Sequence, residues 1–159
     1  MYTLLKLLKK NARISNAELA LLLDTDEKTI EKEIAALEAS GVIRGYSAIT
    51  NDDMIDEDFV TAHVELKVTP RSQSGFDEIA IAVSAYDEVE SCWLMSGAYD
   101  LAVTITGRNI RDISQFIAQR LASIDGVLST ATHFVLKRYK DNSIVISGEE
   151  IDERGFVSP

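Results

Sequence analysis

The sequence predicts an α+β chain with an N-terminal winged-type helix-turn-helix followed by a ferredoxin-like β-α-β-β-α-β domain. Three observations predict it. Short apolar-periodic segments with cap residues fill the first forty residues, and strand and helix periodicities recur as two matching sets between residues 59 and 140. The charge is also divided: residues 1–50 carry seven bases against seven acids, so the net charge of −10 lies wholly in the remainder. The reading divides the chain into a helix-turn-helix domain (1–50), a polar linker (51–58), a sheet domain (59–140) and a C-terminal tail (141–159).

The elements follow in order. "YTLLKLLKK" sets Leu4, Leu5, Leu7 and Leu8 on an apolar face with lysines outside it, which fits a short amphipathic helix. "SNAELALLL" opens with Ser15 and Glu18 at capping-box spacing. After a turn at Asp24-Thr25, a third helix starts near Asp26, keeps Ile30, Ile34 and Leu37 on one side, and ends at Gly41. "VIRGYSAI" reads as a strand, and "TNDDMIDED" as an acidic connection. "FVTAHVELKV" alternates as a strand; Phe76, Ile79, Ala80 and Val83 have helical spacing; "VESCWLM" is the next strand. "YDLAVTIT" alternates again, Asn109 caps a helix carrying Ile110, Ile113, Ile117 and Leu121, and "GVLSTATHFVLKRY" is a long last strand. "SIVIS" is a candidate extra strand before a polar tail.

Both helices of such a sheet cover one face. The second and last strands nevertheless carry apolar residues of both parities: Val89, Trp93 and Met95 against Cys92 and Leu94, then Leu128, Phe134 and Leu136 against Val127, Ala131 and Val135. Burial on both faces is expected, and hence self-association through the second face.

No run is long enough to span a bilayer, and Met1-Tyr2-Thr3 lacks the features of a signal peptide, so the expected location is the cytoplasm. The single cysteine, Cys92, reads as a core thiol. No nucleophile elbow, phosphate loop or metal-ligand spacing occurs, and His63 and His133, placed on neighbouring strands, lack the cysteine or carboxylate cluster of a metal site. The expectation is a protein that is not an enzyme and carries no cofactor.

On a helical wheel the third helix presents Lys28, Lys32, Ala35 and Ala39 opposite its buried side, with Glu27, Glu31 and Glu38 on one flank and Glu33 on the other. The outward crest is therefore neutral to basic although the helix is acidic. Lys28, Thr29 and Lys32 are the candidate base-reading residues. Lys6, Lys9, Lys10, Arg13 and Arg44 are the candidate phosphate contacts.

The stretches "ISNAELALLL", "LEASGVIRGYSA", "MSGAYDLAVTITG" and "GVLSTATHFVLKRY" resemble the leucine-responsive/asparagine-responsive (Lrp/AsnC) regulator family over roughly residues 1–140. The resemblance implies transcriptional regulation by a DNA-binding, ligand-sensing protein that forms homodimers through its sheet domain, assembled further into tetramers or octamers. The implied effector is a small molecule such as an amino acid, bound at a subunit interface. Carried onto this sequence, the effector site falls on Met95, Ser96, Gly97, Ala98, Tyr99 and Asp100, and on the start of the last strand, with Ser129, Thr130 and Thr132. The low bulk of Ser96-Gly97-Ala98 lets backbone N–H groups approach a carboxylate, Asp100 suits an ammonium group, and the three hydroxyls can orient either. A tight hairpin whose glycine serves the turn is the competing account of the same loop.

The sequence departs from the family at Glu33, Ala35 and Ala36, where long donors such as arginine are usual. DNA reading then falls to lysines, which lack arginine's rigid fork. Weak affinity is expected unless dimers or octamers add avidity. Two alternatives stay open: an oligomeric small-molecule sensor that has lost sequence-specific DNA binding, and a tetrapyrrole decarboxylase-like enzyme, whose relatives resemble this family in both domains and which would need histidine or arginine beside a large pocket.

Overall fold

In a computed structural model the chain divides into two compact units, Met1–Ile49 and Thr50–Pro159; the structure describes residues 2–55, 59–69 and 75–147. The first unit is three helices: α1 (Tyr2–Lys10), α2 (Asn16–Leu22) and α3 (Glu27–Ala39). Leu4, Leu8, Leu19, Ala20, Ile30 and Leu37 form their shared core. The capping box closes as the spacing predicts, with the Glu18 N–H donating to Ser15 Oγ (3.2 Å) and the Ser15 N–H to Glu18 Oε2 (3.0 Å). α3 starts on Asp26, whose Oδ1 accepts from the Thr29 N–H at 3.0 Å. Gly41 ends it in the left-handed region (φ 73°).

The expected strand after Gly41 does not form: residues 42–49 lack strand structure. A strand needs a hydrogen-bonded neighbour, and here the segment turns back on α3 instead. The Ile43 N–H donates to the Leu37 carbonyl at 3.1 Å and the Tyr46 hydroxyl to Glu38 Oε1 at 2.7 Å.

The second unit has β1 (Val60–Val68), α4 (Asp77–Ser84), β2 (Val89–Leu94), β3 (Leu101–Gly107), α5 (Ile110–Phe116) and β4 (Val127–Phe134). The strands lie in the order β2-β3-β1-β4, all antiparallel, as the β-α-β-β-α-β pattern requires. Asn109 caps α5 by accepting from the Asp112 N–H at 2.9 Å. Past Phe116 the helix widens into a π-turn (Ile117–Leu121) in which the Ala122 N–H reaches the Ile117 carbonyl, and Leu121 stays fully buried. Ala62, Val64, Leu66 and Val68 of β1 and Leu101, Val103 and Ile105 of β3 face Ile79, Val83, Ile113, Phe116 and Ile117 of the helices in one core.

Gly126 leads into β4 with φ 92°, and a Cβ there would stand 2.7 Å from Ile79 Cδ1 and 3.0 Å from the Thr69 carbonyl oxygen. Left-handed strain and the crowding act together, so Gly126→Ala is expected to cost about 2–4 kcal/mol, read as a drop in the chemical-denaturation midpoint of the full chain.

Two register shifts correct the expectation of a sheet apolar on both faces. Between Val89 and Ser91 the β2 register slips, so Val89 pairs with Ile105 while Cys92 pairs with Val103 and Leu94 with Leu101, all on the helix side. A second shift, between Lys67 and Val68, sets Val127 opposite Val68, again on the helix side with Phe134, which pairs with Ala62. Leu128 is left between them, 68% exposed, and Leu136 lies beyond the strand, 97% exposed. A bulge adds one residue and inverts parity, which chain spacing does not reveal.

The open face consequently carries Thr61, His63, Glu65 and Lys67 of β1, Ala102, Thr104 and Thr106 of β3, Ser91 and Trp93 of β2, and Ser129, Ala131, His133 and Val135 along β4. It is mixed rather than apolar, with Trp93 its large hydrophobic group, 65% exposed.

The candidate strand "SIVIS" is realised as β6 (Ile144–Val145), paired with β5 (Lys140–Asp141) in a two-residue-turn ribbon. The ribbon segment holds residues 50–54: Arg138 Nη2 lies 3.0 Å from Asp52 Oδ2 and the Asn51 Nδ2 donates to the Ile146 carbonyl at 3.3 Å. The rest of the linker, 56–58, and the tail from 148 onward lie outside the described residues. Among the described residues no helix is long and apolar enough to cross a membrane.

Candidate functional site

The crest of α3 is built as the wheel predicts. Lys28, Lys32, Ala35 and Ala39 are exposed, while Ile30 and Leu37 are buried. Thr29 also takes part in the helix cap. It is half-buried, and its hydroxyl donates to Asp26 Oδ2 at 2.6 Å, so its proton serves the helix cap and only its oxygen is left to accept from a base. Lys9 and Lys10 stand exposed in the last turn of α1, and Arg13 is exposed just beyond it. Arg44 is exposed and folds its guanidinium over Gly41, at the carbonyl end of α3, where the helix dipole favours a cation.

The caps give this unit a pH signature. Thr29 hydroxyl and N–H donors hold Asp26 below the usual carboxylate range, and the Ser15 N–H and hydroxyl do the same for Glu18. Both groups bind protons less readily folded than unfolded, so their stabilisation is present above the unfolded values near ~4 and is lost as pH falls through the folded ones. Helix content of the full chain, followed by circular dichroism, is expected to lose thermal stability below about pH 4. Asp26→Asn keeps a capping oxygen and is expected to flatten that acid loss.

The candidate effector-site residues lie toward one end of the sheet. Met95–Asp100 joins β2 to β3, closed by the Met95 N–H donating to the Asp100 carbonyl at 2.8 Å. Met95, Ser96, Gly97 and Ala98 are exposed; Tyr99 and Asp100 are half-buried. Asp100 is tied to β1 twice, its N–H donating to the Leu66 carbonyl (2.9 Å) and its Oδ2 accepting from the Val68 N–H (2.8 Å), at the residue where the β1–β4 register shifts. Sequence reasoning missed this anchoring role, which depends on the β1–β3 pairing.

Gly97 bears on the hairpin account of the loop. It does not lie in the left-handed region, and a Cβ built on it meets nothing within 4 Å. The turn therefore does not itself demand glycine.

Thr130 pairs with Leu66 and Thr132 with Val64, so both share the helix side and are half-buried, whereas Ser129 pairs with Lys67 and is exposed on the open face. The three hydroxyls thus do not converge on one face. Leu66 pairs with Leu101 on one side and Thr130 on the other. The loop and β4 consequently flank β1, about 10 Å apart at two strand spacings.

His63 and His133 are direct cross-strand partners on the open face. His63 Nδ1 lies 3.1 Å from Thr104 Oγ1, and His133 Nε2 lies 3.5 Å from Glu65 Oε1. Among the described residues no group of three His, Cys, Asp or Glu side chains is arranged to hold a metal ion. Cys92 is half-buried and its thiol is pushed up by that burial, as befits a packing residue. A surface cavity of about 690 Å³ includes Phe59, Val60, Arg108 and Arg111, but Asp52 and Asp53 line it too and neither histidine does. The acids offset the arginines that a polycarboxylate porphyrin would need.

Comparison with known proteins bears on both units. The winged helix-turn-helix DNA-binding family matches residues 2–44, and the Lrp/AsnC ligand binding domain matches residues 61–145. The chain is 38% identical over 157 residues to the HTH-type transcriptional regulator YugG of Bacillus subtilis, covering 98% of this chain and 95% of the relative. It is 25% identical to the leucine-responsive regulatory protein of Haemophilus influenzae over 139 residues, 87% of this chain and 83% of the relative. In fold it is similar to Escherichia coli AsnC (TM-score 0.65, 22% identity, 89% and 93% coverage). It is also similar to a Neisseria meningitidis transcriptional regulator solved in complex with L-methionine (TM-score 0.67, 24% identity, 87% and 88% coverage). With both units matched and a relative aligned along nearly its whole length, the chain belongs to the Lrp/AsnC family of helix-turn-helix transcriptional regulators.

Proposed function

We propose that this regulator reads DNA through the α3 crest, with Lys28 and Lys32 in the groove and Lys9, Lys10, Arg13 and Arg44 on flanking phosphates, and that it responds to a small amino acid held by Met95–Asp100 with Ser129, Thr130 and Thr132. Gly97 carries the effector half: the chain has room for a side chain there, so its absence serves a group arriving from outside. The separation of the loop from β4 by β1 supports a site completed between subunits, with residues of one chain facing those of another. Self-association through the open sheet face pairs two copies and doubles the weak lysine contacts of each. The protein acts in the cytoplasm and is not an enzyme; its relatives carry the names of transcriptional regulators.

The test is a footprint or gel shift on the DNA upstream of its own coding sequence, at stated low salt, with and without single amino acids. A sequence-dependent complex altered by one amino acid is the expected result. Thermal stabilisation by an amino acid without any salt-dependent DNA binding would leave only the sensor.

A further inference from the structure

We infer that the C-terminal ribbon, residues 138–147, clamps the linker at Asn51 and Asp52 and thereby sets the reach of the DNA-binding unit, with Arg138 as the positioning residue. This inference rests on the DNA reading put forward above and on a paired regulator, whichever surface joins the copies.

The linker is held from both ends of the ribbon. Arg138, where the ribbon begins, puts Nη2 3.0 Å from Asp52 Oδ2 and Nη1 3.6 Å from Asp141 Oδ2, so one guanidinium ties the linker to β5. Ile146, near its other end, offers the carbonyl to which Asn51 Nδ2 donates at 3.3 Å. The two ends are themselves joined: Ser147 Oγ donates to the Arg138 carbonyl at 2.7 Å and the Ile146 N–H to the Tyr139 carbonyl at 2.9 Å. On the linker side, Thr50 Oγ1 donates to Asp52 Oδ1 at 2.7 Å, which leaves Oδ2 to Arg138. A single partly exposed ion pair contributes little by itself. Here it closes a ring of bonds that turns Asn51 inward and buries its Oδ1. A plain spacer would keep that amide in water.

The clamp fixes a tether length. The first unit ends at Ile49, and among the described residues its last side-chain bond back to a helix is that of the Tyr46 hydroxyl to Glu38. From Ser47 to Thr50 the tether is four residues, a length that spans at most about 14 Å. With the clamp open, the second unit is next held at β1, from Val60, and the tether runs from 47 to 59. Those thirteen residues span up to about 45 Å. Two DNA-binding units on short tethers reach only half-sites at a matching separation, whereas long tethers relax that rule. Effective concentration falls as roughly the −3/2 power of length, so a roughly threefold longer tether lowers it ~5-fold.

Arg138→Gln with Asn51→Ala removes both attachments. Asn51 makes no side-chain cap to the short 3₁₀ turn that follows it (Asp52–Met54), so the turn itself is spared. In the full-length double variant, hydrogen exchange at the Met54 and Ile55 amides, which donate to the Asn51 and Asp52 carbonyls, is expected to quicken ~10-fold or more, with β1 and β3 unchanged. Gel shifts would use the footprinted half-site alone, paired at its own spacing, and paired with about five base pairs inserted, half a turn of duplex. The wild type is expected to lose ~10-fold or more in affinity on insertion and the double variant no more than ~3-fold, with equal affinities for the lone half-site. Arg138→Lys, which keeps a cation for Asp52, is expected to hold the wild-type spacing profile.

Unchanged exchange at Met54 and Ile55 in the double variant overturns the clamp. Faster exchange with an unaltered spacing profile, or a wild type indifferent to spacing, overturns its part in reach. A wild type that forms no sequence-dependent complex fails at the DNA reading instead, and the inference falls with it.

Discussion

Reversing Lys28 and Lys32 to glutamate is expected to lower the affinity of the full chain for its upstream DNA by ~100-fold or more. A charge-assisted hydrogen bond contributes about 1.5–3 kcal/mol, and 1.4 kcal/mol is tenfold in affinity, so two lost contacts in each copy set the scale. Both lysines are exposed on the crest of α3, away from Ile30 and Leu37, so folding is expected to change by no more than about 0.5 kcal/mol. The same pair should reduce the steepness of salt dependence, since each phosphate-facing cation contributes about one unit of slope. Glu27, Glu31 and Glu38 already flank the crest, and the reversal would merge them into one repulsive surface. Quantitative gel shifts across a salt series check this. Unchanged affinity would mean that α3 is not the reader.

What the sequence showed and what it hid divide along a physical line. Caps were legible because they are local: Ser15 with Glu18, Asp26, Gly41 and Asn109 each act within a few residues of themselves, and each is found where spacing puts it. The alternation of β1 and β3 was legible because those strands are central and regular, with Val64, Leu66, Val103 and Ile105 buried in step. The edge strands were not. Their parity is set by pairing with a neighbour, and one extra residue near Glu90 and one near Leu128 moved Val89 and Val127 to the helix side. The absent wing strand has a similar cause, since Ile43 and Tyr46 find partners in α3 rather than in another strand. At the site, lysine exposure was readable from a wheel. Asp100's bond to Val68 was not, because it joins residues that meet only once β1 and β3 have paired.

That bond shapes the sharpest test of the effector site, because Asp100 has two roles that a single deletion would confound. Asp100→Asn keeps an oxygen able to accept from the Val68 N–H, so folding stability is expected to stay within about 1 kcal/mol. Asp100→Ala leaves that half-buried N–H without its partner and is expected to cost about 1–3 kcal/mol. If the carboxylate also pairs with an amino acid's ammonium, the Asn variant should bind that amino acid ~10–100-fold more weakly, the equivalent of one lost charge-assisted bond. Calorimetric titration beside thermal melts separates the two: loss of binding with stability kept assigns the charge to the ligand. Equal binding by wild type and Asp100→Asn would confine Asp100 to holding β1 at its register shift with β4. Gly97→Val supplies the complementary case, since a Cβ there meets open space. Its fold is expected to survive intact while the added bulk blocks the backbone approach, so a variant that still binds would return the glycine to a simple turn.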